Sequence, residues 1–280
     1  MQVNCSLDSF LEQVDKATRS IMIEISNTMS FPPSSIHFLL SGKKLRSRFV
    51  YHSANVTSFD DKVKLGILLE LIHSASLVHD DIVDESTLRR GFSTLQQQFL
   101  TKKAINTGYK MFGLIFSLCD SLTPNWRKNF YLTLNHMCLG EIWELEDINN
   151  SKRSISQYKK SILYKTASLF ALCCGLEDSD QWNSKHANFG LHYGFAFQLY
   201  DDLLDIYSSQ QKTGKTSKKD VSLGILTLPE MLYFNYNSRD KAIKKCTLIG
   251  LSYLKKAESY NDNPAWISEA EKLAKRYLDL

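Results

Sequence analysis

The chain has 280 residues, 43% of them apolar and 23% charged, with a formal net charge of +4. That composition supplies a large buried core. It excludes a disordered polyelectrolyte and a dedicated nucleic-acid binder, whose basic residues would crowd one face. No run of eighteen apolar residues occurs, so no stable membrane insertion is expected. Residues 1–13 are amphipathic rather than an apolar leader, and the expected compartment is the cytoplasm. None of the six cysteines stands in a C-x-x-C pair; most sit in apolar runs as small buried hydrophobes rather than zinc ligands.

Proline occurs only at positions 32, 33, 124, 229 and 264, which leaves two stretches of about a hundred residues free of the strongest helix breaker. No alternating strand pattern of useful length is present. Helices are predicted over 7–29, 34–55, 61–84, 97–119, 125–149, 154–178, 183–209, 227–236, 238–258 and 263–278, with Pro229 near the start of its helix. Loops are predicted over 89–94, 122–125 and 208–220, the last polar and lysine-rich around Gly214. The expected fold class is all-α.

Along these helices, basic residues and carboxylates recur in a pattern. Lys43 and Arg46 in SGKKLRSR are three apart, the spacing of one helical face. The apolar segment LLELIHSASLVH ends in DDIVD, Asp80, Asp81 and Asp84. His73 lies seven residues before Asp80, two turns back on the same face. Arg89 and Arg90 follow in ESTLRRG, and Lys165 and Thr166 interrupt the apolar run YKTASLF. The segment FAFQLY, with Gln198, then leads into DDLLD, Asp201, Asp202 and Asp205, and Lys215 stands in the loop after it.

Chemistry gives the repeated D-D-x-x-D its meaning. A helix turns about 100° per residue, so an aspartate and its i+4 partner present two short carboxylates side by side. Magnesium takes such oxygens, keeps several waters and bridges to substrate phosphates. A single copy reads as a solvated or capped helix end. Two copies against helices this apolar do not, because buried carboxylates without cations are costly. The basic residues suit diphosphate, which Arg grips as a bidentate fork and Lys as a point charge.

The segments GKKLR, ELIHSASLVHDDIVDESTLRRG, GEIWELE, YKTASLF, FAFQLYDDLLD, GKTSKKD and LGILTLP together resemble the trans-isoprenyl diphosphate synthases of the polyprenyl synthetase family, over roughly residues 40–235. The resemblance implies one domain over 1–280, a bundle of about ten or more helices around a deep central cavity. It implies that Asp80, Asp84, Asp201 and Asp205 hold magnesium on an allylic diphosphate, three ions per active site. Arg89, Lys165, Gln198 and Lys215 would contact that diphosphate, with Thr166 beside it. Lys43, Arg46, His73 and Arg90 would hold isopentenyl diphosphate. Asp81 and Asp202 belong with the catalytic aspartates by the same likeness. The expected partners are these two substrates and a second subunit, identical in a homodimer or different in a heteromer. The chain departs from the family pattern at Ser41, Ser47, Gly108–Tyr109 and Ile225, the last standing where a phosphate-binding lysine is usual.

The implied reaction is head-to-tail condensation. The basic groups stabilise departing diphosphate, an allylic cation develops, and the double bond of isopentenyl diphosphate attacks it before a proton is lost to the departed diphosphate. Ala75 and Ser76, just before Asp80, are small where bulky aromatics in the family stop elongation. The tail is therefore expected to pass this level, end near Phe130 and Met137, and reach about C30 to C40. Shorter C15–C20 synthesis is the alternative. A terpene cyclase would not need two full motifs with two basic sets. A di-iron protein built on Glu70-x-x-His73 would need a second such pair, and the sequence has none. A non-catalytic subunit would have no reason to keep six aspartates.

Overall fold

The computed structural model describes residues 6–53, 58–176, 178, 182–207 and 224–280. They divide into two compact units, one up to Thr123 and one from Pro124 on. Helices dominate both, as expected.

In the first unit, α1 (Leu7–Thr28) starts where the Ser6 hydroxyl accepts the Ser9 N–H at 3.2 Å, with Asp8 in the first turn. It buries Phe10, Val14, Met22 and Ile25, a stripe at helical spacing. One helix was expected over 34–55, but the chain there forms a 3-10 turn (Pro33–Ile36), α2 (His37–Leu40) and α3 (Leu45–Tyr51). The break follows from Lys44, which caps α3 in the left-handed region (φ 50°). Its ammonium is held there by Asp15 at 3.4 Å and Glu70 at 3.5 Å. α4 (Phe59–Val83) is capped by Ser58 and buries Leu65, Leu68, Leu69, Leu71, Ile72, Ala75, Leu77 and Val78. A helix wrapped on so many sides belongs in a core.

A short antiparallel pair, β1 (Leu88–Arg89) and β2 (Phe92–Ser93), occupies the loop predicted at 89–94. Arg90 and Gly91 both have positive φ, 53° and 81°, the signature of a type I′ hairpin. Two residues per strand are too few for any alternation to register. The helix expected at 97–119 is divided into α5 (Leu95–Gln98) and α6 (Thr101–Cys119). Phe99, between them, is drawn out of helical geometry to stack on Phe31, with ring centres 4.0 Å apart.

The second unit starts with α7 (Pro124–Glu146) and continues through α8 (Ile155–Ile162), a π-helical turn (Leu163–Ala167) and α9 (Ser168–Gly175). Then come α10 (Lys185–Tyr207), α11 (Leu228–Tyr236), α12 (Arg239–Glu258) and α13 (Pro264–Leu278). Capping boxes fix two of these starts, Ser154 with Gln157 on α8 and Thr227 with Glu230 on α11. Buried Arg153 closes the corner between α7 and α8. It pairs with Asp147 at 3.0 Å and donates to Ser161 Oγ at 2.7 Å and Leu226 O at 2.8 Å. α10 is the buried spine, and Tyr277 of α13 is tied to it by an O–H donated to Ala196 O at 2.6 Å.

Candidate active site

α4 ends inside its own aspartate motif. Asp84 is the C-cap and Glu85 takes a left-handed φ of 50°. The Ser86 N–H then reaches Asp81 O at 2.8 Å and the Glu85 N–H reaches Ile82 O at 3.2 Å. This double bond pattern is a Schellman cap. It stops the helix so that Asp80 and Asp84 stay half-buried on one side while Asp81 turns inward to 2% exposure. Arg89 of the hairpin closes on Asp81, its Nε–H at 2.7 Å from a carboxylate oxygen. The turn sends its neighbour elsewhere: Arg90 donates to Phe38 O at 3.0 Å and lies against Gly42, where a Cβ would come within 3.3 Å of the guanidinium.

Of the basic residues expected around His73, the structure brings Arg46 and Arg90 to the ring and adds Arg89 and Lys44, while Lys43 is not among the charges acting on it. Lys43 and Arg46 do not share a helical face, because α3 begins only at Leu45; Lys43 is exposed in the preceding loop and Arg46 is half-buried on the helix. Burial first, then the positive charges of Arg46, Arg90, Arg89 and Lys44, hold the His73 imidazole well below its ordinary pKa. A neutral ring among four cations marks a place that attracts anions. Lys44 and Glu70 had no assigned place in the cluster. Glu70 accepts the Ser47 hydroxyl at 2.7 Å and pairs with Lys44, so it braces the basic loop and is not half of a metal-ligand pair. Ser47, fully buried, is what that bond requires at a family-variant position.

The second motif, at the end of α10, repeats the division of labour with different chemistry. Asp201 and Asp205 are half-buried, while Asp202 is 5% exposed. Tyr158 donates to one Asp202 oxygen at 2.6 Å and Gln198 donates to the other at 2.8 Å. Gln198 in turn accepts the Thr166 hydroxyl at 3.0 Å. Lys165 stands in the π-helical turn, an irregularity frequent at functional sites. Its ammonium pairs with Glu141 at 2.6 Å and with Glu144. α7 approaches that turn closely: a Cβ on Gly140 would sit 2.2 Å from the Lys165 amide nitrogen. Tyr158, Glu141 and Glu144 were not picked out from sequence. The glutamates' i, i+3 spacing in GEIWELE was the available signal. Lys215 lies outside the described residues.

Three further positions are fixed. Ser76 is half-buried and donates to His73 O at 2.9 Å, whereas Ala75 is fully buried. Gly108 of the variant Gly-Tyr pair receives the His79 ring, which a Cβ would meet at 2.2 Å. Ile225 is 5% exposed, between Gly224, whose carbonyl accepts the Asn149 N–H at 2.9 Å, and Leu226, held by Arg153. Among the described residues, no three histidine, cysteine or carboxylate side chains gather as a metal cage. Magnesium needs none, since one or two carboxylates plus substrate phosphates and water suffice. The Asp80–Asp84 and Asp201–Asp205 pairs, hard oxygens one turn apart and reachable by solvent, fit that ion.

The profile of the family described as Polyprenyl synthetase matches residues 32–259. The chain belongs to the polyprenyl synthetase family. Its expected prenyl-transferring activity and all-helical fold therefore hold. A relative from Bacillus subtilis, heptaprenyl diphosphate synthase component 2, is 31% identical over 86% of this chain and 69% of its own. The crystal structure of a heptaprenyl diphosphate synthase from Staphylococcus aureus has the same fold, with a TM-score of 0.82 at 23% identity over 96% of this chain and 98% of that one. So does a polyprenyl synthase from Caulobacter crescentus complexed with calcium and isoprenyl diphosphate, with a TM-score of 0.79 at 22% identity over 100% and 99% of the two chains. No described helix of this family member is long and apolar enough to cross a membrane.

Proposed function

We propose that this polyprenyl synthetase condenses isopentenyl diphosphate with an allylic diphosphate to give a product of seven or so five-carbon units, about C35, within the C30–C40 range. The observation that carries the reading is the split within each motif: two outward carboxylates and one inward, anchored aspartate. Asp80 with Asp84, and Asp201 with Asp205, are the carboxylates that hold magnesium for the allylic diphosphate. Once bound, the metal supplies Lewis-acid stabilisation of the charge that builds on the departing diphosphate. Arg89, Lys165, Gln198 and Lys215 bind that group and orient it, with Thr166 fixing the Gln198 amide. Lys43, Arg46, His73 and Arg90 hold the diphosphate of isopentenyl diphosphate, so that its double bond meets the allylic carbon without a further entropic cost.

The Caulobacter neighbour's calcium and isoprenyl diphosphate support a divalent metal, and we take three magnesium ions as the working number. The designation of the Bacillus relative as component 2 supports a heteromer with a second subunit; a homodimer is the simpler assembly. We assign the reaction to the cytoplasm. The test is incubation of the purified chain with labelled isopentenyl diphosphate, magnesium and primers of increasing length, followed by chromatography of dephosphorylated products. A ladder ending at six to eight units, about C30 to C40, is expected. A stop at C15 or C20 sinks the reading; no extension by the chain alone selects the heteromer over the homodimer, and no extension with a second subunit supplied sinks the reading.

A further inference from the structure

Lys165 is poised to bind an anion, yet it is already engaged by anions. Glu141 lies 2.6 Å from its ammonium and Glu144 also pairs with it. Both glutamates come from one face of α7, three residues apart, and all three side chains keep about a fifth to a quarter of their surface in water, 20%, 20% and 24%. The arrangement is built and not incidental. The π-helical turn sets Lys165 out of the regular ladder, and Gly140 lets the α7 backbone approach the turn to a distance no side chain would permit. One cation with two acidic partners leaves the trio with a net negative charge, an odd preparation for a phosphate-binding lysine.

We infer that Glu141 and Glu144 are positioning residues that act as a counter-ligand for Lys165. They compete with diphosphate for its ammonium and so limit how tightly the product diphosphate is retained. The inference rests on the reading above that Lys165 contacts the diphosphate. Physically, an ammonium can leave a carboxylate pair for a diphosphate of higher charge only by giving up those contacts, so part of the attraction is cancelled at binding and returned at release. Partial exposure keeps the exchange cheap, because neither partner is left dry and unpaired. A lysine without the pair would hold the leaving group more strongly and free it more slowly.

The test is isothermal titration of the intact chain with inorganic diphosphate and magnesium, made on the unmodified protein, Glu144→Gln, Lys165→Ala and the double variant. Glu144→Gln is expected to tighten diphosphate binding by about three- to tenfold. In the Lys165→Ala background the same change should have less than half that effect in logarithmic terms, because the double-mutant cycle isolates the part that runs through the lysine. Equal tightening in both backgrounds would mean a general change in field, and weaker or unchanged binding in Glu144→Gln would mean a bracing role; either overturns the counter-ligand. If Lys165→Ala binds diphosphate as well as the unmodified protein, the assignment of Lys165 itself fails. Should Glu144→Gln lose its helical circular dichroism, Glu141→Gln carries the same comparison.

Discussion

The Tyr158 hydroxyl donates to Asp202 at 2.6 Å across 44 residues of sequence, and both groups are buried. Burial, then the Asp202 charge, pushes the phenol well above its ordinary pKa, so it remains a donor throughout the neutral range. The pair ties the end of α10 to α8, while Asp201 and Asp205 remain half-buried. Tyr158→Phe should lower stability by about 1.5–3 kcal/mol, the value of a hydrogen bond to a charged group. It should also raise the magnesium concentration needed for half-maximal turnover, since the ledge is less firmly set. Thermal unfolding and a magnesium titration of rate measure both; an unchanged metal dependence would confine Tyr158 to a packing role.

The aspartates of one motif should behave as two kinds of residue. Asp80→Ala and Asp201→Ala remove proposed metal ligands whose contribution is felt in the transition state, so turnover should fall by about two or more orders of magnitude with melting temperature nearly unchanged. Asp81→Ala instead strands the Arg89 guanidinium, whose side chain is 14% exposed. Breaking so enclosed a pair should cost about 3 kcal/mol of stability. Calorimetric melting beside single-turnover rates separates the classes. A stable, inactive Asp81→Ala would show Asp81 to be a ligand after all.

These contrasts mark where sequence reasoning ran out. Asp80 and Asp84, or Asp201 and Asp205, are legible because i, i+4 geometry is local and the same in every helix. Which of three aspartates turns inward depends on Arg89 and Tyr158, partners supplied by a hairpin and by another helix, and no spacing rule encodes that. The long helices were readable from proline placement and apolar periodicity. The break at Lys44 was not, since its left-handed backbone is secured by Asp15 and Glu70, 29 and 26 residues away. Lys165 was legible as a cation in an apolar run, but its two glutamates come from the preceding helix.

Ile225 stands where a phosphate-binding lysine is usual in the family. The side chain is instead packed at 5% exposure, in backbone pinned by Asn149 and Arg153. An ammonium placed there must either be buried or drag the segment outward. Ile225→Lys should therefore lose about 1–3 kcal/mol of stability without tightening diphosphate binding. Chemical denaturation and the diphosphate titration check this; tighter binding with intact stability would show that the lysine finds the site.

The His73 environment predicts a pH signature. Its folded pKa is depressed by burial and by Arg46, Arg90, Arg89 and Lys44, while the unfolded ring titrates near 6.5. The unfolded chain thus takes up a proton first as pH falls. The stabilisation is complete above about pH 6.5 and is lost as pH drops from there toward the folded pKa. An arriving diphosphate reverses the local field and raises the ring's pKa, so isopentenyl diphosphate binding near pH 6 should be accompanied by proton uptake. Calorimetry in buffers of different ionisation enthalpy detects that proton, and His73→Gln should abolish it. Uptake that survives the substitution assigns the proton elsewhere.

Product length should respond differently at two adjacent positions. Ser76 shares the Asp80 side of α4, one turn before it, and is half-buried; Ala75 is rotated about 100° from Ser76 and has no exposed surface. If the growing tail descends past this level, a phenyl ring at Ser76 meets it directly and has room to be placed. Ser76→Phe should shorten the product to about C15–C20 with little change in melting temperature. A ring at Ala75 must first displace packed neighbours, so Ala75→Phe should also shorten the product, but at a stability cost of about 1–3 kcal/mol. Reversed-phase chromatography of dephosphorylated products, run beside thermal melts, reads the two effects separately. Unchanged product lengths in both variants would sink the reading that this level of α4 bears on chain length.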